Sequence, residues 1–368
     1  MAQKSQSLTS LALQKFKKNF WGVLSFWYIV LVGLIAIFAY LIAPDNTANA
    51  NQMHLSIHSK KPGFEVNMLR IPETKASSSS FFSDLLFGKP ISFTEIPISS
   101  FSFSNDTLNI TEYAADGLKG IKKAIPFAKF DKTTQQEIET TFINQKRFLL
   151  GTDKYGRDLL SRMFIGARIS FFIGFIAVFI SLVIGITLGS LAGYFGGKVD
   201  TAIMFIINVA WSIPTLLLVI AITLAIGKGF WQVFIAVGLT MWVEVARVVR
   251  GQIISAKQLQ YVTAARALGY TNFRIITKHI LPNVIAPVIV IAAANFAGAI
   301  LIESGLSFLG IGAQPPTPSW GGMIKDHYNY IILGKPYLAV IPGLAIMSLV
   351  MAFMLVGNAL RDALDVKT

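Results

Sequence analysis

The chain has 368 residues, of which 54% are hydrophobic and 14% charged, with a net charge of +13 and no cysteine. A soluble domain is about 25% charged, so this composition belongs in lipid, and the length is best read as bilayer spans of about 20 residues each. Lack of cysteine excludes disulfides, zinc–thiolate centres and thiol nucleophiles, and His54, His58, His279 and His327 are too scattered to suggest a metal site.

The positive charge is clustered. Lys4, Lys15, Lys17 and Lys18 precede the first apolar run, and Arg250, Lys257, Arg266, Arg274 and Lys278 fall within residues 249–282; neither stretch contains an acid. Basic clusters beside apolar spans mark cytoplasmic loops. No groove-reading motif accompanies them, so no nucleic-acid partner is expected.

The first apolar run, Trp21 to Ala43, is followed by Ala48-Asn49-Ala50, which has the look of a signal-peptidase site. Its apolar length of about 23 residues exceeds the 7 to 15 or so of a secretory signal, which favours a retained span with a cytoplasmic N-terminus. Residues 44–148 form a polar insertion. Alternation at Phe64 to Met68, Ile98 to Ser104 and Leu108 to Thr111 predicts half-buried strands. Asp131, Thr134 and Glu137 have the spacing of a capped helix start, with the helix ending near Gln145. Ser77 to Ser80 and several prolines mark loops.

Apolar spans return at about 169–192, 201–224, 231–249, 283–304 and 337–357. Six spans put both termini on one side. With the basic N-terminus inside, the insertion lies outside, 249–282 inside and 305–336 outside. The expected architecture is an all-α polytopic membrane protein in three parts: residues 1–43, the β-rich extracytoplasmic insertion 44–148, and a five-helix core 149–368.

Within 249–282, residues 256–267 are good helix formers, Gly269 can close that helix at positive φ, and Thr271 or Asn272 can cap a second helix ending at Pro282. A short helical hairpin at about 250–282, projecting into the cytoplasm, follows.

The hairpin sequence, Tyr261-Val-Thr-Ala-Ala-Arg-Ala-Leu-Gly269, then eleven residues, then Leu281-Pro282, resembles the coupling motif of ABC importer permeases. That motif has Glu-Ala-Ala, three residues, Gly and a later Leu-Pro; here Thr263 stands for the glutamate. Further matches are similar to the dipeptide, oligopeptide and nickel subfamily: Gly151 to Arg162, Gly166 to Ser170, Leu306 to Gly312, Gln314 to Gly321, Pro342-Gly343 and Leu360 to Asp365. The subfamily usually has an arginine and an aspartate where this chain has Phe205 and Asn208, and an aspartate at Asn358. Joint loss of both members of a buried pair can be nearly neutral, so a retuned interior is expected.

The resemblance implies a permease of a bacterial cytoplasmic (inner) membrane, forming half of a pathway for dipeptides or oligopeptides, with nickel chelates or antimicrobial peptides as alternatives. Its implied partners are a second similar permease, two ATP-binding-cassette ATPase subunits and an extracytoplasmic solute-binding protein. Thr263, Ala264, Ala265, Arg266, Gly269, Leu281 and Pro282 would couple to the ATPase.

The chain itself has no Gly-x-x-x-x-Gly-Lys-Ser/Thr; Gly196-Gly197-Lys198 and Gly227-Lys228-Gly229 lack the spacing. ATP and magnesium are therefore expected on the partners. No nucleophile elbow is present and no catalytic residue is expected. Ionisable groups inside spans are functional candidates because burying charge in hydrocarbon is costly. Glu244 can serve the pathway or pair with Arg247 one turn on. Glu303 can be interfacial or line the pathway, and Asn208 and Asn295 can bond between helices or meet solute. Gly185, Gly189 and Gly193, four apart, suggest close helix packing. A secondary transporter would show an inverted repeat with broken helices, and none is evident.

Overall fold

The computed structural model describes residues 8–73, 80–115, 118–130, 134–227 and 229–364. They fall into two compact units, one drawn from the chain up to Gly33, Ser170–Gln314 and Leu344 onward, the other from Leu34–Ile169 and Pro315–Gly343.

The chain begins with α1 (Leu8–Lys18), whose last turn carries Lys15, Lys17 and Lys18, and continues into α2 (Phe20–Ile37), an 18-residue apolar helix. Tyr28 joins Ser348 through a 2.6 Å hydroxyl hydrogen bond. After a short α3 (Ala39–Ile42) the insertion begins.

Its five strands are β1 (Phe64–Pro72), β2 (Phe93–Ser104), β3 (Thr107–Glu112), β4 (Lys122–Pro126) and β5 (Ile143–Phe148), in the antiparallel order β4-β3-β2-β1-β5. The helix α4 (Phe81–Phe87) separates β1 from β2, and α5 (Gln135–Phe142) precedes β5. The three alternating segments of the sequence all lie in strands. Alternation separates two faces: Leu69, Ile98, Leu108 and Ile110 pack with Phe127, Phe130 and Ile138, whereas Val66 and Met68 pack with Ile57 and Phe148. Asp131 lies outside the described residues, and Thr134 forms no side-chain cap. The helix stops at Phe142, short of the expected Gln145, because Ile143–Phe148 pairs in register with β1 from Leu69↔Ile143 to Phe64↔Phe148.

Beyond the insertion runs α6 (Leu159–Phe195) of 37 residues. Next come α7 (Gly197–Ser212) and α8 (Thr215–Ile226), then α9 (Phe230–Ala256). The expected straight span 201–224 is instead broken, with 93° between α7 and α8. Pro214 has no N–H to donate and forces Ile213 toward extended backbone (φ −94°, ψ 128°), which ends α7. The rest comprises α10 (Gln260–Ala267), α11 (Asn272–Arg274), one π-helical turn at Ile275–Ile280, α12 (Leu281–Phe308), α13 (Trp320–His327) and α14 (Tyr337–Leu364). Among the described residues five helical stretches, α2, α6, α9, Asn272–Phe308 and α14, are long and apolar enough to cross a membrane, and the bent α7–α8 pair makes a sixth if counted as one span.

Close packing explains the spaced glycines. A Cβ on Gly185 would stand 2.5 Å from Val245 Cβ, one on Gly189 2.5 Å from the Ala246 carbonyl, and one on Gly193 2.8 Å from the Arg250 carbonyl. Removing the side chains lets the α6 and α9 backbones meet, which is how apolar helices gain dispersion energy where lipid supplies no hydrophobic drive.

The sheet carries one buried charge cluster. Glu95 on β2, with its side chain 1% exposed, meets Arg70 Nε at 2.9 Å, Lys146 Nζ at 2.9 Å and His54 Nε2 at 3.4 Å. Burial alone would raise its pKa, but the neighbouring His54 ring, the charge and hydrogen bond of Lys146 and the Arg70 hydrogen bond outweigh burial and hold it at about 2, against an ordinary 4.5. A carboxylate with a depressed folded pKa stabilises the fold fully above its unfolded value and loses that contribution as pH falls toward the folded one. Protection of β1 and β2 amides from hydrogen exchange, corrected for intrinsic rates, should therefore drop between about pH 4.5 and 2. Glu95→Gln, which strands the cations, should lower protection at pH 7 by about 3 kcal/mol, the low end for breaking a buried pair because Arg70 keeps contact with water. Unchanged protection in the variant would refute this role.

Candidate coupling hairpin and membrane polar site

The residues read as a hairpin form one, and its root is a core of this chain. Val249, Ile253 and Ala256 of α9, Val262 and Ala265 of α10, and Ile275, Ile276, Ile280 and Val284 are all buried together around Tyr194. Polar contacts fasten the same root. The Tyr194 hydroxyl donates to Asn272 Oδ1 at 2.8 Å, Lys257 Nζ donates to the Tyr194 carbonyl at 2.6 Å, and Arg266 lies 5.4 Å from the Tyr194 ring centroid.

α10 closes through Gly269 at φ +75°, a conformation that disfavours any residue with a Cβ, with Gly269 N–H donating to the Arg266 carbonyl and Tyr270 N–H to that of Ala265. Thr271 caps the next helix by accepting from Arg274 N–H at 3.4 Å. That helix does not end at Pro282. It runs from Asn272 to Phe308 as one apolar stretch. Pro282 lacks a donor and its ring crowds the carbonyl four residues back; the turn before it widens to a π-helix, which relieves the crowding without breaking the rod.

The hairpin's small residues divide by face. Ala265 is 3% exposed inside the core, while Thr263, Ala264, Arg266 and Gly269 face outward; Leu281 is half-buried against the core and Pro282 is exposed. Thr263, the departure from the family glutamate, therefore leaves no buried partner unsatisfied. Sequence reading missed Leu268 and Phe273, which flank the turn at 70% and 77% exposure. Their signal was two apolar residues beside the turn glycine with no place on the stripe Val262, Ala265, Ile275, Ile276.

The four polar candidates in the apolar helices separate as well. Arg247 does not turn back to Glu244. Its Nη2 donates to Asn208 Oδ1 at 2.8 Å and its guanidinium lies 3.3 Å from the Trp211 ring centroid. Arg250 forks onto Asp200 at 2.5 and 2.6 Å. Glu303 is fully buried, not interfacial, and accepts from Ser307 Oγ at 2.6 Å. Glu244 and Asn295 line one cavity of about 280 Å³ together with Trp211, Thr215, Thr240 and Ile302. The structure brings only these two of the four to that cavity.

In the other unit the stretch from Gly151 to Gly166 is held to α13. Asp153 accepts from Arg157 Nε at 2.6 Å, and Lys154 Nζ meets Asp326 at 3.0 Å. Trp320 donates its indole N–H to the Met163 carbonyl at 3.0 Å, across a spot where only a glycine, Gly166, leaves room. His327 is 1% exposed; burial holds its pKa below the ordinary value, against its hydrogen bond with the Met323 carbonyl.

Residues 185–368 match the family described as binding-protein-dependent transport system inner membrane component, and residues 7–62 match the N-terminal TM domain of oligopeptide transport permease C. The dipeptide transport system permease protein DppC of Alkalihalophilus pseudofirmus is 42% identical over 217 residues, 59% of this chain and 71% of its own. The oligopeptide transport system permease protein OppC of Bacillus subtilis is 37% identical over 241 residues, 66% of this chain and 79% of its own. A chain of the MetNI methionine ABC transporter in an inward-facing conformation aligns over 54% of this chain and 94% of that one, at 19% identity and a TM-score of 0.45. The family match, the curated relatives and the apolar helices define a multi-pass permease component of an ABC importer. This chain belongs to the family of binding-protein-dependent transport system inner membrane components.

The two alanines give a direct check on the hairpin's inner and outer faces. Ala265→Leu should overpack the core and cost about 2 kcal/mol, lowering the thermal midpoint of the purified protein, whereas Ala264→Leu should leave it unchanged. Equal shifts would refute the division.

Proposed function

We propose that this chain is one of two transmembrane subunits of an ATP-driven importer of peptides, and that its hairpin is the element an ATPase subunit grips. The observation that carries this reading is the hairpin's division of labour: buried Val262 and Ala265 tie it to α9 and α12, while Ala264, Leu268, Gly269 and Phe273 are left on its surface. A knob that is rigidly rooted and apolar at its tip can be moved as a body. Exposed Leu268 and Phe273 are the kind of side chains that anchor an interface in a partner's pocket.

The peptide assignment is supported by the relatives named for dipeptide and oligopeptide transport. The chain crosses a bacterial cytoplasmic membrane six times, with both termini and the basic hairpin in the cytoplasm under the positive-inside rule. Residues 44–148 lie outside as a β-rich domain facing a solute-binding protein, and residues 149–368 form the permease core. Partner ATPase subunits bind ATP and magnesium, since no phosphate-cradling loop occurs in this sequence. ATP binding draws the ATPase pair together, the hairpins follow, and α9 and α12 transmit that motion so that the two permeases open toward the loaded binding protein. Hydrolysis returns them to an inward-open state.

Two measurements test this. With no native cysteine, Lys122→Cys and Gln258→Cys can be labelled by an impermeant maleimide in intact cells. Label is expected at residue 122 and not at 258, and the reverse would invert the topology. Separately, Leu268→Asp and Phe273→Asp should leave abundance normal yet lower ATPase copurification and peptide uptake at least about tenfold, consistent with the loss of one interface anchor. Wild-type values in both assays would mean that the hairpin is not the coupling element.

A further inference from the structure

The cavity between α8, α9 and α12 contains two polar groups that the fold does not use. Glu244 has no hydrogen bond or ion pair among the described residues. Asn295 is 3% exposed, and its amide nitrogen is buried without a partner. Asn295 is thus an unsatisfied amide buried in an apolar helix, where leaving it so is costly, and Glu244 is exposed on α9 and lines the same cavity. Nearby, Arg250 is paired with Asp200, and Arg247 bonds Asn208 and stacks on Trp211. The commitment of Arg247 to α7 matters most, since it is the cation one turn from Glu244 and does not neutralise it.

We propose that this cavity is a solute-contact subsite in which Glu244 is the counter-charge for a primary ammonium group and Asn295 hydrogen-bonds the adjoining amide. The inference rests on the peptide reading above and adds to it the group that is recognised. At about 280 Å³ the space falls below that of a site enclosing a drug-sized ligand, so it suits one end of a peptide and not the whole chain. A peptide's amino terminus offers an ammonium and a peptide amide a few bonds apart, matching a carboxylate from α9 and a carboxamide from α12 that line the same cavity. The Trp211 ring and the Thr215 and Thr240 side chains complete the lining. The break between α7 and α8 adds to the case, because irregular backbone at membrane depth is tolerated where it lines a wet cavity, and Trp211 and Thr215 flank that break.

The test uses the complete transporter in proteoliposomes with its binding protein, and trialanine, whose only ammonium is its amino terminus, as the probe. Glu244→Gln keeps the shape and removes the charge; it should lower uptake about tenfold, with ATPase copurification unchanged. Glu244→Asp, which keeps the charge, should restore most of the uptake, and Asn295→Ala should lower it severalfold. The ratio of trialanine to N-acetyltrialanine uptake should fall toward one in Glu244→Gln. Wild-type uptake in Glu244→Gln, loss that Glu244→Asp does not relieve, or an unchanged ratio would each overturn the ammonium assignment while leaving the peptide reading standing. No uptake of any peptide by the wild-type complex would overturn both.

Discussion

The near contact of α6 and α9 backbones along Gly185, Gly189 and Gly193 is the constraint on which the helical unit depends. In water two helices are pressed together by the cost of exposing their apolar faces, but lipid removes that pressure and leaves dispersion and shape. Three missing side chains at four-residue intervals bring Val245, Ala246 and the Arg250 carbonyl to within 3 Å of where a Cβ would be. Once α9 is held there, its middle and its C-terminal end are placed. Val249, Ile253 and Ala256 begin the core that roots the hairpin, and one to three turns before them Thr240 and Glu244 form a wall of the polar cavity. One helix thus contributes both to the root of the hairpin and to the lining of the cavity, within a few turns of about 3.6 residues each.

The breaks in helical regularity sit where that shared helix needs help from others. At Ile213-Pro214 the chain bends by 93°, and the orphaned groups are partly recovered by Leu218 N–H donating to the Pro214 carbonyl at 3.1 Å. At Ile275–Ile280 the wider π turn lets Pro282 stay inside a continuous rod. The first irregularity makes room beside the cavity, while the second avoids making any between hairpin and span. A continuous Asn272–Phe308 helix can carry a displacement from the hairpin into the bilayer with little loss, since a close-packed rod deforms less readily than a hinged one.

What could be read from the sequence follows from which forces are local. Strands β1, β2 and β3 were legible because each alternates apolar and polar residues by itself. β4 and β5 were not: Lys122-Lys123-Ala124-Ile125 buries only Ile125, and Ile143-Asn-Gln-Lys-Arg-Phe148 becomes a strand through its pairing with β1. The bend at Pro214 was hidden by apolar residues on both sides that read as one span. The hairpin's existence, its glycine turn and its Thr271 cap were legible from short-range rules. That Ala265 faces in and Ala264 out was not, because two adjacent alanines carry no phase of their own, and only the packing of Tyr194 and Ile276 decides it. Glu244 and Asn295 stood out singly as polar residues in apolar runs, but their meeting depends on how α9 and α12 cross.

The departures from the family pattern now have a physical reading. Of the two positions where the family resemblance leads one to expect a charged pair, Phe205 is 68% exposed on α7 and Asn208 lies one turn on. Asn208 is not idle, since its carbonyl oxygen accepts from Arg247, so an arginine reaches α7 after all, from α9 in place of α7. An aspartate at 208 would have neutralised Arg247, whereas an amide bonds it and leaves its charge in place. The Trp211 ring, 3.3 Å from the guanidinium carbon, spreads that charge over an aromatic face. Arg247 of α9 is thus tied to α7 through both Asn208 and Trp211, and it leaves Glu244, one turn before it, without an ion pair among the described residues.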